Sequence, residues 1–457
     1  MKRDKMDDFD SEAWLARKPE IGNLRAAIFD LNGVLRGKRL PRSQLKKAIN
    51  GGIRMPLSSA NLDIWGRDIV NSKWVFETGD SDGGCFWTGR GPLPMPWTEE
   101  TTALVPLSLM DNDGKPFGGD ARNALAMILD RFAALDLHPV VGFEMEFYLA
   151  DPQGGNDGQP DAPASPLTGA KPIRDGALAI DEVNDYDSLI NEIYAACKLQ
   201  MVEADTTISE AGLGQFEINL VHSHDAMKAA DDAAFFKQTA KGVARKYGLA
   251  ASFMAKPYAD RPGNGMHLHI SLLDGKGKNV FDDGSDAGSL VLGHAVAGAL
   301  AGLADSMLIF APHQNSYRRF AIESHAPMAV CWGYENRTAA LRVPLGPPSQ
   351  RRIEHRVSGA DANPYLVLAA VLGTILTGLE DQKPPPSPIT SSSYALDLPT
   401  LPSSWNDAIN HFTNSKVIAR ILPETLRDML IGCKIQELHR FSGDISPFEY
   451  HSYLDQV

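Results

Sequence analysis

The amino-acid sequence predicts an α+β fold, and two observations lead to this class. From residue 41 to about residue 106 the chain is rich in glycine, proline and tryptophan and lacks long helical periodicity, which indicates a β-rich region. From residue 120 onward, helical patterns are mixed with short strand-like runs, and the two kinds do not alternate regularly. A doubly wound parallel sheet requires that alternation, so the order of the elements favours α+β.

The first predicted element is a hairpin within residues 25–41, RAAIFDLNGVLRGKRLP. An Asn-Gly pair between alternating apolar residues is a strong hairpin signal, and Asn32-Gly33 supplies it here. Residues 1–20 lack an apolar signal core and are expected to form a flexible arm. We expect a small β-rich domain over 21–112 and a larger domain over 113–457.

A helix is predicted after Asp120, a good N-cap residue. Its apolar face comprises Leu125, Ile128, Leu129, Phe132 and Leu135. Further helical patterns occur near 187–204, 226–247, 288–304, 363–380 and 404–440. The apolar run that begins at Tyr365 has about 15 residues, fewer than the roughly 20 that span a bilayer, so it is predicted to be a buried helix.

Composition limits the classes of function. The chain has 457 residues, 43% of them hydrophobic and 22% charged, which is ordinary for a globular enzyme. A net charge of -13 argues against a nucleic-acid surface. The four cysteines show no metal-ligand spacing and are expected to be reduced thiols. Together with the lack of a signal or membrane segment, these features predict a cytoplasmic enzyme.

Residues 140–150, VVGFEMEFYLA, resemble a buried strand that carries two carboxylates. Side chains alternate along a strand, so Glu144 and Glu146 share one face while apolar residues line the other. Two like charges this close are costly unless a partner neutralises them. The strand therefore indicates a bound cation.

Three more stretches carry polar residues on strand-like runs, at i, i+2 spacing in two of them and on either side of a glycine-containing turn in the third. These residues are Glu210 and Glu217, His267 and His269, and Arg352, Glu354 and Arg356. Taken singly, each is typical of a core histidine or a structural ion pair. Together, five carboxylates and an imidazole suit Mg²⁺ or Mn²⁺ better than zinc.

Arginines follow the predicted metal ligands along the chain. They are Arg318, Arg319, Arg337, Arg342, Arg352 and Arg356. Arginine is the planar donor for phosphate and carboxylate groups, so the combination indicates ATP-dependent activation of a carboxylate. Neither a Walker A sequence nor a Rossmann glycine pattern occurs, which excludes those two nucleotide sites.

Six stretches resemble, in order, the motifs of the glutamine synthetase superfamily. They are GFEMEF, EAGLGQFEI, KPYADRPGNGMHLHISL, NSYRRF, ENRTAALRVP and RRIEHRVSGADANPYL. The resemblance covers roughly residues 25–457. It implies that 21–112 is a β-grasp domain and that 113–457 is a catalytic domain with a curved antiparallel sheet flanked by helices. It also implies ATP and two or three divalent ions per active site.

The resemblance implies a role for each matching residue. Glu146, Glu210 and Glu217 match the ligands of a first metal, and Glu144, His267 and Glu354 match those of a second. His269 and Ser271 match ATP contacts; Arg337, Arg342 and Arg352 match a phosphate clamp; Gly263, Arg319 and Arg356 match the glutamate site. The implied reaction phosphorylates the γ-carboxylate of glutamate, after which an amine displaces phosphate.

Two positions depart from the ammonia-using members of this family. Pro56 stands where their ammonium pocket has an aspartate, in a stretch that also contains Ser58 and Ser59. His325 stands where their flap has a glutamate, although Glu323 is nearby. Loss of two acidic groups weakens a cradle for ammonium, whereas an alkyl chain gains about 0.8 kcal/mol per buried methylene.

The predicted nucleophile is therefore an organic amine, as in the γ-glutamylpolyamine and γ-glutamylmonoamine synthetases that this chain resembles. Glu210, assisted by His325, is the predicted base. Two alternatives stay open: a glutamine synthetase that uses ammonia, and a catalytically silent family member. The resemblance further implies a homo-dodecamer of two stacked hexamers, with each active site between neighbouring subunits.

Overall fold

The computed structural model of the chain describes residues 9–155, 159–173, 175–322 and 324–457. Two sheets, of six and eight strands, are surrounded by helices. Buried side chains from both sheets belong to one large hydrophobic cluster, so the two parts of the molecule share a core. The predicted α+β class is confirmed.

The smaller sheet is built only from strands within residues 23–110. Its strands are β1 (Asn23–Phe29), β2 (Leu35–Pro41), β3 (Ile53–Pro56), β4 (Asp82–Trp87), β5 (Leu93–Met95) and β6 (Thr102–Met110). The spatial order is β2-β1-β6-β4-β3, with β5 beside β6, and β1 runs parallel to β6. The predicted hairpin is confirmed as β1 and β2, whose turn places Gly33 at φ +71°.

The larger sheet carries the predicted metal ligands. Its strands are β7 (Leu137–Ala150), β8 (Ala204–Ser209), β9 (Gln215–Leu220), β10 (Ala250–Ser252), β11 (Met266–Asp274), β12 (Trp332–Tyr334), β13 (Leu341–Val343) and β14 (Ile353–His355). The order is β12-β13-β14-β11-β7-β9-β8, with β10 beside β7. The sheet is antiparallel except for the β12–β13 pair. Strands β7, β9, β11 and β14 are neighbours, which brings their polar residues to one region.

Fourteen helices are found in the described ranges. The first seven are α1 (Ser11–Arg17), α2 (Leu45–Ile49), α3 (Lys73–Phe76), α4 (Ala121–Ala134), α5 (Ile180–Asp185), α6 (Asp187–Leu199) and α7 (Ala226–Lys246). The others are α8 (Leu290–Ala301), α9 (Met307–Phe310), α10 (Pro364–Asp381), α11 (Trp405–Asn414), α12 (Lys416–Ile421), α13 (Glu424–Ser442) and α14 (Pro447–Tyr453).

Helix α10 is the centre of the helical layer. Asn363 caps its first turn by accepting from the Tyr365 N–H, and Pro364 occupies the first helical position, where its missing N–H costs nothing. By length and composition α10 could cross a membrane, but 83% of its apolar window is buried inside the protein. It packs against α8 and α4, as a core helix does. The prediction of a buried helix is confirmed.

Some local predictions differ from the structure. The region 404–440 was expected to be one helical pattern but forms three helices, because Ser415 caps α12 and Pro423 precedes α13. Leu135 was placed on the apolar face of α4, yet it is the C-cap residue and is 52% exposed. The predicted arm, residues 1–20, includes the helix α1, and Phe9 just before it packs against Trp87. This part of the arm is therefore packed on the protein. Residues 1–8 lie outside the described ranges.

Candidate active site

The register of the larger sheet sets the carboxylates side by side. On β7, Glu144 is directly opposite His267 of β11, and Glu146 is directly opposite Glu217 of β9. On the far side of β11, His269 is opposite Glu354 of β14. Directly opposed residues have Cβ atoms only about 4.5–5.5 Å apart, so strand pairing alone gathers these side chains. The alternate residues of β7, including Met145 and Phe147, are fully buried in the core as predicted.

Glu144 is the centre of the group. Its carboxylate lies 3.1 Å from His267 Nδ1 and 2.8 Å from His269 Nε2. Burial by itself would raise the pKa of Glu144, but the hydrogen bonds and charges of the two histidines outweigh burial and hold this pKa well below its usual range. Glu144 is therefore ionised throughout the physiological pH range.

Two sets of three side chains could each hold a metal ion. One is Glu144, Glu217 and His267, and the other is Glu144, His269 and Glu354; within each set the ligand atoms lie within 4.8 Å of one another. The resemblance implied a different division, with Glu144 in one set only and His269 outside both. Glu146 and Glu210 belong to neither compact set: the Glu146 carboxylate accepts from the Gly265 N–H at 2.7 Å.

The electrostatics of the cluster fit a divalent cation. Burial and the nearby charges of Glu146 and Glu144 raise the pKa of Glu210 to about 7. Burial and the charges of Glu144 and Glu146 also raise the pKa of Glu217. Such shifts mean that the protein's own groups do not fully compensate the carboxylates, which are the hard oxygen donors that Mg²⁺ and Mn²⁺ prefer.

The arginines are placed around the cluster, and two of them pair with a predicted metal ligand. Arg342 donates to Glu354 at 2.7 Å, and Arg356 forms a close ion pair with the same carboxylate. Although burial raises the pKa of Glu354, the charges of Arg356 and of the two histidines lower it to about 2. A bound phosphate or carboxylate would compete with Glu354 for these two guanidinium groups.

The other arginines occupy different positions. Arg352 donates from Nε to His269 Nδ1 at 3.0 Å, and Arg319 is buried and donates to the Val357 carbonyl at 2.7 Å. The Arg337 side chain is exposed and near enough to lower the pKa of Glu210, while its carbonyl accepts from Arg356 Nε.

Backbone glycines leave space at the predicted glutamate site. A Cβ atom on Gly263 would lie 2.8 Å from Arg319 Cγ. A Cβ atom on Gly265 would lie 2.8 Å from both Arg319 and His267, and 3.1 Å from Glu146. Gly265 is thus as tightly placed as the predicted Gly263, and the sequence reasoning missed it.

A polar cavity of about 370 Å³ opens beside the cluster. Its lining includes Glu144, His269 and Arg352, which were predicted, and Asp205, Asn219 and His222, which were not. The Asn219 Oδ1 atom is buried and has no hydrogen-bond partner among the described residues, so it can accept from a bound group. Asn219 could have been found by continuing the alternation of β9 two residues beyond Glu217. Ser271 is half-buried on β11, opposite Val140, two residues beyond His269.

Among the described residues, the side-chain hydrogen bonds of Ser58 and Ser59, at the predicted amine site, do not reach this cluster. Ser58 donates to Asp80, and Ser59 donates to the Pro56 carbonyl, so these contacts stay within residues 56–80. His325 is exposed and has φ +56°, an unusual backbone conformation for a residue other than glycine. Glu323 lies outside the described residues.

Comparisons with known proteins agree with this architecture. The sequence profile of the glutamine synthetase catalytic domain matches residues 118–453. Gamma-glutamylputrescine synthetase PuuA of Escherichia coli (strain K12) is 35% identical over 95% of this chain and 92% of its own length. Glutamate–isopropylamine ligase of Pseudomonas sp is 31% identical over 96% of each chain. The solved structure of a GmaS/ADP complex, conformation 1, has a TM-score of 0.83 at 26% identity and covers 97% of this chain and 99% of that one.

The fold and the carboxylate–histidine cluster therefore define an enzyme of the synthetase class. The chain belongs to the glutamine synthetase family. Both predictions, the family and an enzyme of this kind, are confirmed. Proteins named for an amine substrate and proteins named glutamine synthetase both occur among the relatives, so the choice of nucleophile depends on the residues of this chain.

Proposed function

We propose that this enzyme joins the γ-carboxylate of L-glutamate to an organic amine while ATP is converted to ADP and phosphate. The observation that carries the proposal is the pair of overlapping ligand sets, Glu144, Glu217 and His267 with Glu144, His269 and Glu354, beside a polar cavity lined by Glu144, His269 and Arg352. Carboxylates and imidazoles beside an arginine suit a metal-bound nucleotide phosphate. The ADP complex of a structural neighbour supports the same assignment.

The donor set would hold Mg²⁺ or Mn²⁺, two or three ions per site. Glu144, Glu217, His267, His269 and Glu354 are the ligands that the geometry favours, with Glu146 and Glu210 at the edge of the cluster. Such ions neutralise charge on the phosphate oxygens during phosphoryl transfer.

In the first step, a γ-carboxylate oxygen of glutamate forms a bond to the γ-phosphorus of ATP, and the bond from that phosphorus to the ADP oxygen breaks. Arg319 and the narrow backbone at Gly263 and Gly265 would hold the glutamate. Arg337 would face the transferred phosphoryl group, and Arg342 and Arg352 would hold the remaining phosphates. Fixed positive charge of this kind stabilises the developing negative charge.

In the second step, the neutral amine nitrogen bonds to the γ-carbonyl carbon, and phosphate leaves. The amine must first lose a proton, because the pKa of an alkylamine is near the lysine value of about 10.4. Glu210, assisted by His325, would take this proton. The product is a γ-glutamylamide.

The choice of an organic amine depends on Pro56 and His325. Neither side chain supplies a fixed negative charge for ammonium, and the names of two relatives, for putrescine and for isopropylamine, support amines with an alkyl chain. The alternative nucleophile is ammonia. Phosphate release measured with ATP and glutamate, and with ammonia, putrescine, isopropylamine or ethanolamine added in turn, separates the two. A higher kcat/KM for ammonia than for every amine would contradict the proposal, and no turnover on any of them would favour a silent family member.

Restoring acidic groups at positions 56 and 325 should shift the preference of the enzyme from an organic amine toward ammonia. We expect the double substitution Pro56→Asp with His325→Glu to raise the ratio of kcat/KM for ammonia to kcat/KM for the preferred amine at least about tenfold, which corresponds to about 1.4 kcal/mol. The same phosphate-release assay measures both values. Pro41→Asp, which adds a carboxylate at the exposed end of β2, is the control and should leave the ratio unchanged. An unchanged ratio in the double variant would show that these positions do not select the nucleophile.

We also propose that the enzyme is a homo-dodecamer of two stacked hexamers. Within the described ranges, the hydrogen bonds of Ser58 and Ser59 do not reach the metal-ligand cluster, which is consistent with a role in a neighbouring subunit's site. Multi-angle light scattering should give a mass near twelve times the 49.6 kDa of one chain. A monomer in that measurement would contradict the assembly.

A further inference from the structure

His222 occupies a space that a glycine leaves open beside His269. His269 on β11 is directly opposite Gly142 on β7. A Cβ atom on Gly142 would lie 2.1 Å from His222 Cδ2 and 2.5 Å from its Nε2, distances that no packed side chain tolerates. The ring of His222 therefore fills the position that a side chain of residue 142 would take, next to His269 on the same face of the sheet.

The two imidazole rings stack. Their centroids are 5.6 Å apart and their planes differ by 25°. His222 itself is held by its neighbour in the chain, because Ser223 and Val141 exchange both backbone hydrogen bonds, at 2.8 and 3.0 Å. This bridge ties the segment after β9 to β7 at the residue before Gly142, so the backbone sets the place of the His222 ring.

The side-chain hydrogen bonds of His269 among the described residues lie at the edge of its ring. Arg352 Nε donates to Nδ1 at 3.0 Å, and Nε2, the nitrogen that faces the metal-ligand cluster, lies 2.8 Å from a Glu144 carboxylate oxygen. Two in-plane hydrogen bonds fix the direction in which the ring edge points, but they restrain tilting of the ring out of its plane only weakly. Stacking restrains that remaining motion, and an aromatic pair contributes beyond the area it buries.

We propose that His222 is a positioning residue that holds the ring of His269 in place through stacking, and that Gly142 is required to be glycine because it makes room for this ring. This inference rests on the proposed function, in which the cavity lined by His222, His269 and Arg352 receives the nucleotide phosphates. Its consequence is specific: loss of the stack should weaken nucleotide binding and leave glutamate binding unaffected, because Arg319 and Gly263 hold glutamate independently of His222.

The test measures binding of MgADP by isothermal titration calorimetry and the KM values for ATP and glutamate in the full-length enzyme. We expect His222→Ala to raise the Kd for MgADP and the KM for ATP about fivefold to tenfold, within the range of about twofold to twelvefold that one aromatic pair gives, with the KM for glutamate changed less than about twofold. His222→Phe keeps a stacking ring without polar atoms and should stay within about threefold of the native Kd. His224→Ala, which removes an exposed histidine two residues away, should have no effect.

Gly142 provides an independent check through a double-mutant cycle. Gly142→Ala should weaken MgADP binding at least as much as His222→Ala, since the new methyl group displaces the ring. In the double variant, adding Gly142→Ala to His222→Ala should cost little more, because no ring is left to displace. Additive effects would overturn the inference, as would an unchanged Kd in His222→Ala or a Kd for His222→Phe as weak as that for His222→Ala.

These outcomes are distinct from failure of the proposed function. If native enzyme ligates no amine but binds MgADP through a His222-dependent contact, the proposed function fails and the positioning role stands. If native enzyme is active and all His222 variants bind MgADP normally, only the positioning role fails.

Discussion

Glu144→Gln will reduce ATP-dependent ligation by about 1,000-fold or more, a loss of about 4 kcal/mol of transition-state stabilisation. The substitution preserves the size of the side chain but removes the one charge that both possible metal sets share. It also leaves His267 and His269 with a weaker acceptor. Phosphate release at saturating Mg²⁺ or Mn²⁺ measures the loss.

Metal binding to the same variants tests which division of the ligands is correct. If Glu144 belongs to both sets, Glu144→Gln should weaken the binding of every Mn²⁺ ion. Glu217→Gln and Glu354→Gln should each weaken the binding of a different ion. The division implied by family resemblance predicts instead that Glu144→Gln spares the ion held by Glu217. Electron paramagnetic resonance titration with Mn²⁺ counts the tight and weak ions in each variant.

Glu203→Gln is a matched control for these substitutions. Glu203 is close in sequence to β8, but its side chain is 64% exposed and lies 3.5 Å from Lys228. Exposed ion pairs contribute about 0–1 kcal/mol, so this variant should keep native activity and metal stoichiometry. A comparable loss of activity in Glu203→Gln would mean that the total negative charge of the protein, rather than metal coordination by Glu144, determines the activity.

The sequence predicted the parts of the site that depend on local alternation. Glu144 and Glu146 share a face because of the period of a strand, and that period holds whatever the strand's neighbours are. His222 could not be found in this way. It lies beyond the end of β9, and its position depends on a missing side chain at Gly142, on a strand that is distant in sequence.

The pairing of candidate ligands across neighbouring strands could not be predicted for a related reason. Spacing along one strand shows which residues share a face, but it does not show which strand lies alongside. The pairing of His269 with Glu354 and of His267 with Glu144 is a property of strand order, with β11 between β14 and β7. Sequence distance between these residues carries no information on that order.

Glu437→Gln should destabilise the folded protein by about 3–5 kcal/mol, the cost of leaving one partner of a buried ion pair unpaired. Glu437 and Lys434 lie one turn apart on α13, both side chains are 0% exposed, and they are 2.9 Å apart. The Glu437 carboxylate also accepts from the Ile64 N–H at 2.7 Å and from Asn32 at 3.1 Å. Asn32 is in the β1–β2 turn, so this carboxylate joins the smaller sheet to the last long helix.

A neutral amide cannot replace these interactions. The glutamine side chain has one oxygen for the four donors of Asn32, Ile64, Cys433 and Lys434, and it presents its own N–H groups to some of them, while the Lys434 ammonium stays buried next to it. Thermal unfolding of the assembled enzyme should therefore show a lower Tm for Glu437→Gln than for the native protein. Glu12→Gln removes an exposed pair with Lys46, whose side chains are 83% and 70% exposed, and should leave Tm nearly unchanged.

The combination of Lys434→Met with Glu437→Gln separates an unpaired charge from lost packing. If the cost of Glu437→Gln comes from the uncompensated ammonium, removing that ammonium should recover part of the Tm, since the glutamine amide can still accept from Ile64 and bond with Asn32. The recovery should be incomplete, because Lys434 also donates to the side-chain Oδ1 of Asn32. A double variant less stable than Glu437→Gln alone would show that the ammonium is still net stabilising through its bond to Asn32, because methionine keeps most of the methylene packing of Lys434.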